Sequence, residues 1–278
     1  MPPLVNLLPD GRPQVDSKGA LCEIQKTFPP TGTFTGVLDL ISTTIQQTHP
    51  QVTNNALSNT RGAWYEWLLA ASAWNWHVRH SGYLAVLLPN MTQFDIADLY
   101  EPRLRGFIQD LRFKVQQHTS VRLVTSNPDF VIVNTKDIDL GLDLPAHISH
   151  FDRTSLDSLD QLYRKLIGKC SFDNLIGYIS VKSSLRPDRR LQIPHEGSLM
   201  KAIYAHLQTR DWVISPPGLR YYAVSSNITE ADRDALKTVA THSITTVNEL
   251  PKAAVDAVFQ INSQSEAEET WRSILTAQ

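Results

Sequence analysis

A chain of 278 residues with this pattern predicts an α/β fold, with a central mixed β-sheet flanked by helices. Three observations predict it. Short apolar runs rich in Val, Ile, Phe and Tyr alternate with stretches of helical period. No internal repeat and no low-complexity linker interrupts that alternation. The length is enough to bury a sizeable core, and interleaved helices and strands build one mixed layer structure.

Residues 1–32 hold Pro2, Pro3, Pro9, Pro13, Pro29 and Pro30 and read as an arm with little regular structure. Leu38, Ile41 and Ile45 recur at helical spacing. Thr60 to Trp76 is a second helix, with Trp64, Trp67, Leu68, Ala71 and Trp74 on one broad apolar face. Core packing explains those tryptophans better than a base-stacking platform. Residues 103–117 give a third helix, through Leu104, Phe107, Ile108, Leu111 and Val115. Val121 to Val124 and Phe130 to Val133 read as two strands joined by Ser126-Asn127-Pro128-Asp129. Ser155 to Ile167 reads as a capped amphipathic helix, and Leu175 to Lys182 as a strand. A helix follows from about Pro194 to Leu207, then a strand at Tyr221 to Val224. Thr229 to Val239, Leu250 to Phe259 and Glu266 to Leu275 read as helices. We expect residues 1–278 to form a single domain.

Composition excludes several classes. The formal charge is -2, from 26 basic and 28 acidic residues, which argues against a purely electrostatic DNA binder. Local charge differs: Lys182, Arg186, Arg189, Arg190 and Lys201 face only Asp188 and Glu196 in their own segment. No stretch is long enough to span a bilayer, and the N-terminus lacks the pattern of a signal peptide, so the expected location is the cytoplasm. Cys22 and Cys170 have no metal spacing and read as reduced structural thiols. Asp137, Asp139 and Asp143 lack calcium-loop spacing. Leu199 stands where a zinc protease would need a histidine after His195-Glu196.

The chemistry lies elsewhere. Phosphodiester cleavage needs an activated water, a divalent metal and positive charge beside the phosphate. Hard oxygen ligands hold magnesium, and a lysine near it can position the water and stabilise the transition state. Pro128-Asp129 precedes one strand, and Lys182 ends another 53 residues later. That separation suits two neighbouring strands with a helix between them, which would bring Asp129 and Lys182 to one edge of the sheet. Glu196 lies 14 residues beyond the lysine. Arg186-Pro187-Asp188-Arg189 carries the side chains that read guanine and cytosine: arginine pairs with the guanine acceptors, and aspartate accepts from the cytosine amino group.

These residues resemble the PD-(D/E)xK nuclease superfamily. The acid normally placed two residues before the lysine is replaced by Ser180. Ser180-Val181-Lys182 followed by Glu196 looks like the permuted form, in which the carboxylate comes from a following helix. The Arg-x-Asp-Arg cluster is similar to that of type II restriction endonucleases recognising sites with a CCGG core. In that branch an N-terminal helix adds a glutamate, and Glu66 stands in the corresponding place. The resemblance implies a restriction-endonuclease-like core and magnesium held by Asp129, Glu196 and Glu66. Lys182 would act on the water, and Ser180 would orient its neighbours. It implies readout of double-stranded DNA by Arg186, Asp188 and Arg189, with Asn59 and Arg61 near the minor groove. It also implies a homodimer that cuts both strands of a palindrome and leaves 5′ overhangs. A structure- or lesion-directed nuclease on the same scaffold, or a non-catalytic DNA-binding protein, are the rival readings. Discrete fragments from plasmid DNA would separate the first, and magnesium-dependent cleavage the second.

Overall fold

The computed structural model describes residues 4–90, 92–118, 121–123, 127–141, 146–216, 218–245 and 250–276. Five strands form the central sheet: β3 (Tyr83–Leu87), β4 (Phe130–Asn134), β5 (Leu175–Lys182), β6 (Arg220–Ser225) and β7 (Ala257–Gln260), hydrogen-bonded in that order. β3, β4 and β5 are antiparallel neighbours, while β5, β6 and β7 run parallel. The sheet is therefore mixed. Val131, Ile132 and Val133 of β4 are fully buried, as expected of a central strand covered on both faces.

Helices cover the sheet. α3 (Asn54–His80) packs on β3 and is itself covered by α2 (Phe34–Thr48) and α8 (Gln264–Leu275). Thr53 caps α3 by accepting from the Ala56 N–H. Trp64, Trp67, Trp74 and Trp76 are all buried, so the tryptophan-rich face is core. Their polar edges find partners: Trp64 Nε1 donates to the Ser17 carbonyl at 2.9 Å, and Trp67 Nε1 to Asp160 at 2.7 Å. α4 (Pro102–His118) and α7 (Glu230–Leu236) pack against α6 (Pro187–Asp211), which crosses from β5 to the parallel strand β6. α5 (Arg153–Gln161) and a short 3₁₀ turn (Leu162–Leu166) link β4 to β5.

Several expectations are revised. Val121 to Leu123 form no strand, and Val124 lies outside the described residues. The partner of β4 on that side is β3, an apolar run following α3 without a turn-rich boundary. Leu250 to Phe259 is not a helix. Its apolar residues fit either period, and Val258 and Phe259 instead extend the parallel sheet as β7. Residues 5–15 are more ordered than an arm: β1 (Val5–Leu7) pairs with β2 (Pro13–Val15), and α1 (Ser17–Ala20) follows. α6 begins seven residues before Pro194, because Pro187 takes the first helical position. Asp143 lies outside the described residues.

Candidate active site

Antiparallel pairing of β4 and β5 places Phe130 opposite Ile179. Asp129, one residue before β4, therefore meets the C-terminal end of β5, where Ser180, Val181 and Lys182 stand. Three donors converge on Asp129 Oδ2: Lys182 Nζ at 2.9 Å, the Val181 N–H at 2.5 Å and, more loosely, Ser180 Oγ at 3.5 Å. The Asp129 carbonyl accepts from the Leu88 N–H at 2.9 Å, and Asn127 Nδ2 donates to the Pro89 and Phe94 carbonyls. These bonds fix the turn that presents the carboxylate.

All three donors fall on one oxygen. Among the described residues no hydrogen bond reaches Asp129 Oδ1. Asp129 lines a cleft of about 630 Å³ together with Glu66, Trp67, Asn127, Asp160 and Lys18. Burial pushes the Glu66 carboxyl up to about 8; the negative charge of Asp129 adds to the rise, and Lys182 opposes it. Asp160 of this cleft is tied to Trp67 and Lys18, whereas Glu66 has no hydrogen-bond partner among the described residues, so Asp129 and Glu66 are a pair of hard oxygen donors that a divalent cation would satisfy. Glu66 sits in the middle of α3 rather than at its start.

Glu196 enters from α6, also in mid-helix rather than near its N-terminus. It is buried, at 6% exposure. Tyr221 on β6 donates its hydroxyl to Glu196 Oε2 at 3.0 Å, and Gln192 Nε2 donates to Oε1 at 2.7 Å. The same Tyr221 hydroxyl interacts with Ser180 and lies within the field of Asp129. Glu196 thus joins the Asp129–Lys182 pair through Tyr221. Among the described residues no three acidic, histidine or cysteine side chains converge on one point. That suits magnesium, which one or two carboxylates hold while water and phosphate complete the shell.

Backbone packing places Glu196. A Cβ on Gly197 would come within 2.3 Å of the Ala254 carbonyl oxygen and 2.9 Å of the Tyr221 ring. Only glycine lets α6 approach β6 that closely, and the carboxylate of the preceding residue is carried in with it.

The readout residues lie at the exposed N-terminal end of α6. Arg186 caps the helix, and Asp188 accepts from Arg186 at 3.3 Å and lies 3.7 Å from Arg189 Nε. The side chains of Arg186 and Asp188 are more than half exposed. The other basic residues of the segment have structural partners. Arg190 pairs with the buried Asp232 at 2.7 Å, tying α6 to α7, and Lys201 is buried against Asp256 at 2.7 Å. Arg61 is also engaged. It donates to the Leu38 carbonyl and Ser42 Oγ and pairs with Asp39 at 2.7 Å, which makes it a tie between α3 and α2 rather than a free groove contact. Asn59 lies on α3, about two turns before Glu66. The two thiols behave as structural residues: burial pushes Cys22 up to about 11 and Cys170 to about 12.

Sequence reasoning missed Tyr221 and Gln192. A tyrosine in a strand reads as core, and a glutamine on a helix carries no signal of its own. Only the placing of α6 over β6 gives either a role.

Comparison with known proteins covers nearly the whole chain. A family model described as Cfr10I/Bse634I restriction endonuclease matches residues 25–277. The type II restriction enzyme Cfr10I of Citrobacter freundii is 40% identical over 248 residues, covering 88% of this chain and 87% of that protein. The crystal structure of the type IIF restriction endonuclease Bse634I with cognate DNA superposes with a TM-score of 0.89 at 32% identity, covering 99% of this chain and 98% of that one. A second Bse634I structure gives 0.88 at 33% identity over the same shares.

Proposed function

The chain belongs to the Cfr10I/Bse634I restriction endonuclease family, and on that premise we propose that it is a magnesium-dependent enzyme cutting palindromic DNA sites with a CCGG core. It is a type II restriction enzyme, a phosphodiester hydrolase. The observation that carries the proposal is the 2.9 Å pair of Lys182 and Asp129, formed where β4 begins and β5 ends, a few residues before the Arg186–Arg189 segment.

In this reading Asp129 and Glu196, helped by Glu66, hold Mg2+. When bound, the cation supplies Lewis-acid polarisation and neutralises charge at the scissile phosphate. Lys182 Nζ orients the attacking water and stabilises charge developing on the phosphoryl oxygens. The Val181 N–H and Lys182 both hold Asp129 Oδ2, and among the described residues Oδ1 accepts no hydrogen bond. Ser180 takes the place of the missing acid and orients Tyr221 and Asp129. Arg186, Asp188 and Arg189 read C·G and G·C pairs in the major groove. One short motif specifies a four-pair palindrome when a two-fold protein meets a two-fold site, so the active form on DNA is a homodimer with one centre per strand. Cleavage before the first cytosine would leave four-base 5′ overhangs. Residues 1–278 act as one catalytic and DNA-binding domain. Among the described residues no helix is long and apolar enough to cross a membrane, and the proposed site of action is cytoplasmic DNA.

Incubation of plasmid DNA with Mg2+ tests this reading. Discrete fragments support it. Nicking confined to flaps or lesions would favour the structure-directed nuclease, and retention without cleavage the non-catalytic binder.

A further inference from the structure

Gln192 stands between the base-reading end of α6 and the carboxylate of Glu196. Its side-chain oxygen accepts from Arg189 Nη1 at 2.8 Å, and its amide nitrogen donates to Glu196 Oε1 at 2.7 Å. Positions 189, 192 and 196 are three and then four residues apart, so they follow one another down a single helix face. On the far side Glu196 Oε2 accepts from Tyr221. Three hydrogen bonds thus run without a break from a half-buried arginine near the helix start to a fully buried tyrosine.

The two ends of this chain differ in kind. Tyr221 is packed at 0% exposure, so the Oε2 end of Glu196 is fixed by the core. Gln192 is exposed, and its side chain is set by its two bonds rather than by packing. A base that draws Arg189 toward it competes with the partners its guanidinium has here. Nη1 is engaged with Gln192, and Nε lies toward Asp188. A two-pronged contact with the guanine O6 and N7 takes two neighbouring guanidinium nitrogens, so at least one of Nη1 and Nε must serve the base. When Arg189 turns to a base, Gln192 loses the bond that holds its oxygen, and its grip on Glu196 Oε1 changes with it.

We propose that Gln192 is a positioning residue coupling base recognition by Arg189 to the placing of the Glu196 carboxylate for cation binding. This rests on the reading above of Arg189 as a base contact and Glu196 as a cation ligand. Coupling of this kind is reciprocal. A correct base pair at Arg189 eases cation binding, and a wrong pair leaves Gln192 where it is and makes the cation harder to hold. Specificity then resides in the cation requirement as well as in DNA affinity.

The test compares Mg2+ titrations of single-turnover cleavage on two duplexes, one centred on CCGG and one with a single core pair changed. The wild type should need severalfold more Mg2+ for half-maximal cleavage of the altered duplex. In Gln192→Met, which keeps side-chain length but loses both hydrogen bonds, the two midpoints should converge and the rate discrimination should fall about tenfold. Gln192→Glu keeps an acceptor for Arg189 but loses the donor to Glu196, and its midpoints should converge as well. DNA affinity without divalent cation, read by fluorescence anisotropy, should fall no more than about threefold in either variant. Separate midpoints and full discrimination in Gln192→Met would overturn the proposal. So would wild-type midpoints in Gln192→Glu, or an affinity loss equal to the rate loss with unchanged midpoints, which would make Gln192 only a DNA contact. A wild type that cuts neither duplex selectively would also overturn it, and would place the failure in the functional reading rather than in Gln192.

Discussion

Tyr221 and Glu196, on β6 and α6 respectively, are joined by a 3.0 Å hydrogen bond in the interior of the protein. Burial holds the phenol well above its usual range, and the Glu196 charge adds to the rise, so the hydroxyl remains a donor at every working pH. The bond aims one oxygen of Glu196 and leaves the aim independent of pH.

Tyr221→Phe removes that donor and keeps the ring. Stability in chemical denaturation should fall by about 1 kcal/mol, the usual net value of one such bond. Single-turnover cleavage should slow about tenfold, by the same factor across the pH range, because no titrating group has been lost. A ratio that varies with pH would show that the hydroxyl does more than position.

Gly197→Ala tests the same placing through the backbone. The new methyl would stand 2.3 Å from the Ala254 carbonyl oxygen, which packing does not allow, so α6 must move away from β6. Overpacking of this kind costs about 1–3 kcal/mol. A lower melting temperature should accompany a loss of cleavage larger than the loss of DNA binding.

Asp129→Ala and Lys182→Ala should each reduce cleavage at least a thousandfold. DNA binding should survive, because the Arg186–Arg189 segment is not touched. Gel-shift and cleavage assays on the same duplex separate the two activities. Substantial cleavage by either variant would remove the assignment.

The pH response of the cation-free protein reports on Glu66. Burial pushes its folded-state value up to about 8, from the 4.5 of an ordinary glutamate. Between those values the folded protein holds a proton that the unfolded chain has released, so stability falls as pH rises. The contribution is fully present below about 4.5 and lost through 8. Denaturation midpoints taken from pH 5 to pH 8.5 should decline in the wild type and flatten in Glu66→Gln. A wild-type midpoint that rises across that window would contradict the desolvated, crowded position of Glu66.

Much of this site is legible in the residues alone. A Pro-Asp turn before an apolar run and a lysine closing another place Asp129 and Lys182 at one sheet edge, and the pairing of β4 with β5 brings them together. What local patterns miss is what depends on packing between distant elements. β3 hides because it follows α3 through Gly82 with no run of turn residues, and β7 hides because Ala254, Val255, Val258 and Phe259 satisfy a helical period equally well. Glu66 and Glu196 stand out as acids among apolar residues, but their depth within long helices does not. Arg61 looks like a free cation until α2 is seen to supply three acceptors for it.

The most direct test of the account is digestion of DNA of known sequence in the presence of Mg2+, followed by sequencing of the fragment ends. The predicted result is that every end derives from a site containing CCGG, cut before its first cytosine on both strands, with four-base 5′ overhangs. Ends scattered without a common sequence, or clustered at sites lacking that core, would contradict it.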